Sequence, residues 1–501
     1  MINELFTKFS DGRTPNQDDF NAGKMFLLLQ DPFGTWCNYH APKEEAVAEA
    51  NLYENMRGKT DRSNRDVWIH EHCPKTYFIS GIDEIERFKK TLQAMADGYD
   101  GIIGANLWDL RKKPGLWGGV NLLVKDTSAA SVFGNYHYKI VQLKRAIDLK
   151  EHYAMQTALM NEVLSHIQGF NPVKALFVLK NREQSLDCSK IISTALSHVE
   201  DWQKIKDGSL VPDAKKPPKA ALPPWRIFAN KYLFEKKDLV LIPHLSGEMR
   251  AALRAKNINT YEDIINAGLA KIKEILKEPL ASEELALATY AHAVAFKTGR
   301  PVLRSGPFPP APKKRNLYFD FEATETFTAK STSFIYLIGV WDREKDKFVS
   351  FVAKNEAEEE NIFADFAAYA FADSNSSNGD TALYHWTEYE VKKMAALATK
   401  YPSIAPALNK LISACVDLKI VIEKAFYLPA PSLSLKAAAP AFGFKWRQTD
   451  CGAMDSMVYF TNWLKTGDNA LLDKVLMYNE DDCKAMIFVE DYLKTAKAIK
   501  L

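Results

Sequence analysis

The sequence predicts an α/β chain of several domains, in which mixed sheets are flanked by helices. Three observations carry this. The chain has 501 residues, more than one hydrophobic core usually organises. Two stretches with five prolines each, KDGSLVPDAKKPPKAALPPW (206–225) and PVLRSGPFPPAPKKR (301–315), break the composition. Proline fixes φ and removes a backbone donor, so such stretches read as extended linkers or straps. Between them, alternating or continuous apolar runs are interleaved with segments of helical spacing. The expected organisation is a mixed α/β domain at 1–205, a linker at 206–224, a small helical domain at 225–300, a linker at 301–315, and a mixed sheet flanked by helices at 316–501.

In the first segment, GVNLLVK, YHYKIVQLK and ALFVLK read as strands, and MQTALMNEVLSHI (155–167) reads as a helix. The middle segment is helical: GEMRAALRAK, TYEDIINAG and ASEELALATYAHAVAFKTG. Thr260 precedes Glu262 and Asp263 where an N-cap and an acidic first turn belong, and Ser282–Glu283–Glu284 opens the next helix in the same way. The last segment starts with strand-like NLYFDFEAT, SFIYLIGVW and KFVSFVAK, followed by a helix (AEEENIFADFAAYAFA), the apolar run TALYHW and further helices.

Composition excludes several classes. With 47% hydrophobic and 26% charged residues, disorder, collagen and coiled coil are out for most of the length. Lys+Arg 65 against Asp+Glu 63 gives +2, so any nucleic-acid surface must be local. The six cysteines form no CxxC pair, which argues against a disulfide framework, a zinc knuckle or a close-spaced iron–sulfur loop. The N-terminus MINELFTKFSDGR has no signal-peptide pattern, and no apolar run reaches 18 residues. A reduced, cytoplasmic protein without a membrane span is expected.

The chemistry concentrates in the last segment. Asp320 and Glu322 sit at i and i+2 of NLYFDFEAT, so on a strand both carboxylates point one way while Phe319 and Phe321 point into the core. Adjacent carboxylates repel unless a cation lies between them, and hard divalent cations prefer all-oxygen ligands. The bland alternative is a solvent-facing acidic edge. Tyr478 and Asp482, in MYNEDDCKAM, share one helix face at i, i+4. A phenol beside a metal-bound carboxylate can orient an attacking water, although its free pKa of about 10 must fall to help deprotonate it. Here the alternative is a solvated acidic face of Glu480, Asp481 and Asp482.

Taken together, the two motifs resemble the DnaQ-like 3′–5′ exonucleases of the RNase H-like superfamily, with DxE on the first strand and YxxxD on the last helix. The resemblance implies an RNase H-like fold, metal ligands at Asp320, Glu322 and Asp482, and a water-orienting Tyr478. The family's Phe-Asp pair after the fourth strand is matched by Tyr389-Glu390, so Glu390 is the expected remaining ligand; Asp417 is the alternative acid or a group supporting a ligand. His385 and Glu388 are expected to make local hydrogen bonds. The implied cofactors are two Mg²⁺ or Mn²⁺ ions, and the implied substrates are single-stranded DNA or RNA ends.

Gly119-Val120-Asn121-Leu122-Leu123, Gln142-Leu143-Lys144 and then Gln156 are similar to the RecB-like branch of PD-(D/E)xK nucleases, which have a restriction-endonuclease-like α/β fold. Asn121 stands where the first metal-binding aspartate would be, and Gln142 where the acid of D/E-x-K would be. Lys144 and Gln156 match, and Met160 replaces a tyrosine. Amides carry no charge, so the resemblance implies an inactive domain kept for nucleic-acid binding or architecture; a generic strand–hairpin–helix unit is the alternative. Residues 239–268 resemble a helix-hairpin-helix in which Gly247 would make the tight turn, but the usual double glycine is missing, with His244 and Ser246 in its neighbourhood; a helical spacer reads equally well. From Lys204 to Lys256, twelve Lys/Arg face five Asp/Glu, suited to phosphates or merely to a solubilising strap. The order of the three parts is similar to RecB-like/RNase H-like fusion nucleases, and a helicase partner follows by analogy alone. Two other readings stay open: a non-catalytic nucleic-acid-binding scaffold, and a structure-specific endonuclease using the same C-terminal acids.

Overall fold

The computed structural model describes residues 1–48, 62–81, 83–144, 146–180, 182–311, 313–324, 333–372, 380–448 and 452–501. The chain divides into two compact units. One holds Met1–Ala48, most of the chain up to Lys215, and Ala221–Ala229; the other holds Lys216–Ala220 and Asn230 to the C-terminus. Among the described residues, no helix is long and apolar enough to cross a membrane. Cys37, Cys73, Cys188, Cys415 and Cys483 are free thiols, while Cys451 lies outside the described residues.

The first unit is built on a six-stranded mixed sheet, in the order Thr76–Phe78, Gly101–Ile103, Leu122–Asp126, His137–Leu143, Lys174–Val178, Glu183–Asp187. The helix Glu151–Gln168 packs into its core through Met155, Leu159, Met160, Val163 and Leu164, together with Trp108 and Tyr138. That helix stops at Gly169, whose φ of 67° is left-handed. Its last side chain, Gln168, donates to the Tyr138 carbonyl (3.1 Å) and accepts from the Tyr138 amide (2.8 Å), fixing the helix end to the strand.

In the second unit, the helices Gly247–Arg254, Tyr261–Ile275 and Glu283–Thr298 enclose a core of Leu239, Leu245, Leu253, Ile264 and Ile272. Thr260 and Asp263 form a reciprocal capping box, and Ser282 caps the third helix at Leu285 N. The turn expected at Gly247 falls elsewhere. Gly247 is the first residue of its helix, capped by Ser246, and the left-handed conformation belongs to His244 at φ 61°.

The rest of this unit begins with β1 (Arg315–Ala323), β2 (Ile335–Asp342), β3 (Lys347–Val352) and α1 (Glu359–Ala370). It continues with β4 (Thr381–His385), α2 (Tyr389–Lys400), α3 (Ala405–Ala414), β5 (Cys415–Asp417) and α4 (Leu418–Ala425). It ends with β6 (Phe426–Tyr427), α5 (Leu435–Ala441), α6 (Ala453–Thr466) and α7 (Asn469–Thr495). The five-stranded sheet runs β3-β2-β1-β4-β5, antiparallel across β3, β2 and β1, then parallel through β4 and β5. β1 is therefore a central strand, which rules out a solvent-facing acidic edge. One face (Leu317, Phe319, Phe321) packs with Phe363 and Phe366 of α1. Tyr318, on the other face, packs with Cys483, Met486 and Val489 of α7.

Candidate active site

Strand alternation puts Asp320 and Glu322 on the same face as Tyr318, beneath α7. One turn of α7 separates Tyr478 from Asp482, and both are buried. Ligand oxygens of Asp320, Glu322 and Asp482 lie within 4.8 Å of one another, the one such group of three or more His, Cys, Asp or Glu side chains among the described residues.

Burial and mutual repulsion shape the electrostatics. Asp320 is held well above the usual carboxylate range by burial, then by the charges of Asp482, Glu390 and Glu322. Glu322 is pushed up to about 8 by burial and Asp482, against the pull of Lys436 and of hydrogen bonds from Ser456 and Tyr336. Burial also raises Asp482, opposed by Lys436, Trp446 and the Tyr478 hydroxyl. Buried Glu322 and Asp482 and half-buried Asp320, which resist ionising together in an all-oxygen donor set, are what a hard divalent cation would relieve.

The surrounding side chains hold this group in place. Lys436 Nζ stands 2.5 Å from Asp482 Oδ1, and Trp446 Nε1 donates to the same oxygen at 2.6 Å. Lys436 also lies 4.1 Å above the Trp446 ring and 4.3 Å above that of Tyr478. Asn479 Nδ2 donates to Asp320 Oδ2 at 3.0 Å. Asn479 fits because its β2 neighbour is Gly339, directly across the ladder from Asp320. The Tyr336 hydroxyl lies 2.7 Å from Ser456 Oγ and 3.4 Å from Glu322 Oε2.

The acidic run on α7 is divided between two tasks. Asp481 accepts from Arg447 N and Nε at 2.8 and 2.7 Å, and Glu480 pairs with Arg447 and Lys484. These pairs tie the segment carrying Trp446 to the helix, and only Asp482 enters the acid group. Glu390 is buried in the first turn of α2 but is not one of the group of three. It accepts from Thr387 Oγ1 at 3.4 Å and lies 3.7 Å from His385 Nδ1, while its charge reaches Asp320. His385 Nδ1 contacts the Thr387 carbonyl at 2.5 Å, and Glu388 pairs with Lys392. Asp417 caps α4, accepting from Ile420 N at 3.0 Å.

In the first unit, Gln142 lies on the strand His137–Leu143, one residue past the Leu122–Val141 pair, while Asn121 immediately precedes the strand Leu122–Asp126 and Lys144 immediately follows the other. Gln142 is buried, and Asn121 Oδ1 is buried without a hydrogen-bond partner. Burial lowers the Lys144 pKa, and its amine lies 4.6 Å above the Tyr153 ring. Gln156 sits partly buried on the covering helix, and fully buried Met160 fills the space left by Gly118.

Sequence reasoning missed Lys436, Trp446, Asn479, Tyr336 and Ser456. Asn479 carries a signal, being next to Tyr478 in the acidic run; the others carry none. The strand order, the acid group and its position between β1 and α7 now meet the comparison with known proteins: residues 317–494 match the RNase_H_2 family model, of the RNase H superfamily. The C-terminal domain is RNase H-like. No curated protein matches the sequence. RNase H-like nucleases generally use divalent metals, and the acids of this RNase H-like domain have the ligand chemistry to hold one.

Proposed function

We propose that the RNase H-like domain is a metal-dependent 3′–5′ exonuclease that hydrolyses phosphodiester bonds at single-stranded DNA or RNA ends. The observation that carries this reading is the close group of Asp320, Glu322 and Asp482, with the Tyr478 hydroxyl on Asp482. Asp320, Glu322 and Asp482, with Glu390 beside them, would hold two Mg²⁺ or Mn²⁺ ions, which supply Lewis-acid polarisation of the phosphodiester and an activated water. Tyr478 orients that water through its hydroxyl. Asn479 fixes the Asp320 carboxylate, and Trp446 fixes that of Asp482. The products are a nucleoside 5′-monophosphate and a strand shortened by one nucleotide. The first unit, with amides at Asn121 and Gln142, serves nucleic-acid binding or architecture, and a helicase is a partner by family analogy only.

One observation favours a second reading. Glu390 stands outside the group of three, which suits a remnant fold acting as a non-catalytic nucleic-acid scaffold. The test is to incubate 3′- and 5′-labelled single-stranded DNA and RNA with the protein in Mn²⁺, Mg²⁺ or EDTA, beside Asp320→Ala and Glu390→Ala. Stepwise shortening from the 3′ end, lost in EDTA and in Asp320→Ala, is expected, and the Glu390 variant reports whether that acid is needed. Internal cuts would point to an endonuclease. Binding without cleavage in every metal would favour the scaffold, and cleavage surviving Asp320→Ala would move the activity to the first unit.

A further inference from the structure

Lys436 stands out because an ammonium occupies a place among carboxylates that chemistry would give to a metal. Its Nζ is 2.5 Å from Asp482 Oδ1, and Asp320, Glu322 and Asp482 all feel its charge. One ammonium thus faces three acids that resist ionising together, and it compensates only part of the charge they would carry. Divalent cations held by the same acids would supply that compensation in its place. A lysine that stayed on Asp482 would then compete with the cations. It need not stay. The side chain is 37% exposed and its ammonium ends a flexible stem, while Trp446 continues to hold the same carboxylate oxygen. The rings of Trp446 and Tyr478 flank the amine and give it a bounded path.

We propose that Lys436 is an exchangeable counter-ion: it compensates Asp482 while the acid group is empty of metal, and moves to the backbone phosphate of a bound strand once metal has taken its place. The second half rests on the nuclease reading; the first half stands without it. Lys436 is in this sense a positioning residue, since it sets the charge and geometry of Asp482 before the site is loaded.

The experiment titrates Mn²⁺ into the full chain by calorimetry, without nucleic acid, for wild type, Lys436→Met, Lys436→Gln and the charge-preserving Lys436→Arg. A counter-ion opposes cation binding, so the Met and Gln variants should bind Mn²⁺ about threefold or more tightly than wild type, with Arg close to wild type. In EDTA the Met and Gln variants should melt below wild type, and saturating Mn²⁺ should close that gap. Unchanged or weaker Mn²⁺ binding, or a melting gap that Mn²⁺ leaves intact, would overturn the proposal. If Lys436→Met does not fold, Lys436→Gln carries the same test with a shorter polar side chain. For the second half, binding of a 3′-labelled single strand in Ca²⁺ should weaken about fivefold or more in Lys436→Gln. Equal binding would overturn that half. A wild-type chain that shows the Mn²⁺ behaviour but cuts nothing would defeat the nuclease reading and leave the counter-ion role standing.

Discussion

Replacing Gly339 by alanine tests how tightly the acid group is built. Gly339 lies across the ladder from Asp320, and its φ is not in the left-handed region, so alanine carries no backbone penalty there. The whole cost comes from space. A Cβ at this position would overlap Asn479 Oδ1 outright, and would lie 2.8 Å from Asn479 Cγ and 2.9 Å from Phe348 Cε2. Asn479 is fully buried and has no room to swing away. Over-packing of this kind costs about 1–3 kcal/mol. Displacing Asn479 also removes the 3.0 Å hydrogen bond to Asp320 Oδ2, worth about 1–2 kcal/mol. Gly339→Ala should therefore destabilise by about 2–5 kcal/mol, read from urea unfolding in EDTA followed by circular dichroism. The decisive comparison is the double mutant. Asn479→Ala removes both asparagine atoms that the new methyl would meet, so Gly339→Ala/Asn479→Ala should be milder than the sum of the single changes by about 1–3 kcal/mol. Additivity to within about 0.5 kcal/mol would mean that the two side chains do not compete for the same space, and would refute the packing argument.

Four further outcomes are expected. Glu322 has its pKa raised to about 8 on folding, so in EDTA its contribution to stability is full below about 4.5 and is lost as pH rises through 8; Glu322→Gln should match wild type at low pH and be more stable by about 3 kcal/mol near pH 7, measured by urea midpoints. The same variant should show little of the Mn²⁺-induced rise in melting temperature expected for wild type. Asp417→Ala should lose about 1 kcal/mol through the missing cap on α4 while leaving Mn²⁺ affinity unchanged; a loss of affinity would restore Asp417 as a ligand. His292 is buried, 3.0 Å from the Leu428 carbonyl, and burial pushes its pKa down to about 3; its contribution is full above about pH 6.5 and falls by about 1.4 kcal/mol per unit as pH drops toward 3, so the acid limb of urea midpoints should be shallower in His292→Leu.

The parts of the site that could be read from the sequence are those set by local periodicity. Asp320 and Glu322 share a face because a strand alternates, and Tyr478 lies over Asp482 because a helix repeats at four residues. The capping residues Thr260 and Ser282 were legible for the same reason, since a cap is a local hydrogen bond. What depends on distant segments meeting was not. Nothing in SLSLKAAAP says that Lys436 reaches Asp482, and the run Glu480-Asp481-Asp482 does not say which acid Arg447 will claim. A glycine drew attention at 247, yet the left-handed residue is His244, where the strain is tolerated by a residue that looks ordinary in sequence. Asp417 was ambiguous for a related reason: an acid just before a helical run suits a cap as well as a ligand, and the hydrogen bond to Ile420 N shows that it caps.

The separation of the acids along the chain has a consequence for synthesis. Asp320 and its partner Asn479 are 159 residues apart. At about 5–20 residues per second, a ribosome would expose the first two carboxylates roughly 10–30 s before the last helix could dock. During that interval the two acids are free of the repulsion that Asp482 later adds. The charge cluster is thus complete only once α7 has been made. A chain released or cleaved before that helix would lack Asp482 and Tyr478 altogether.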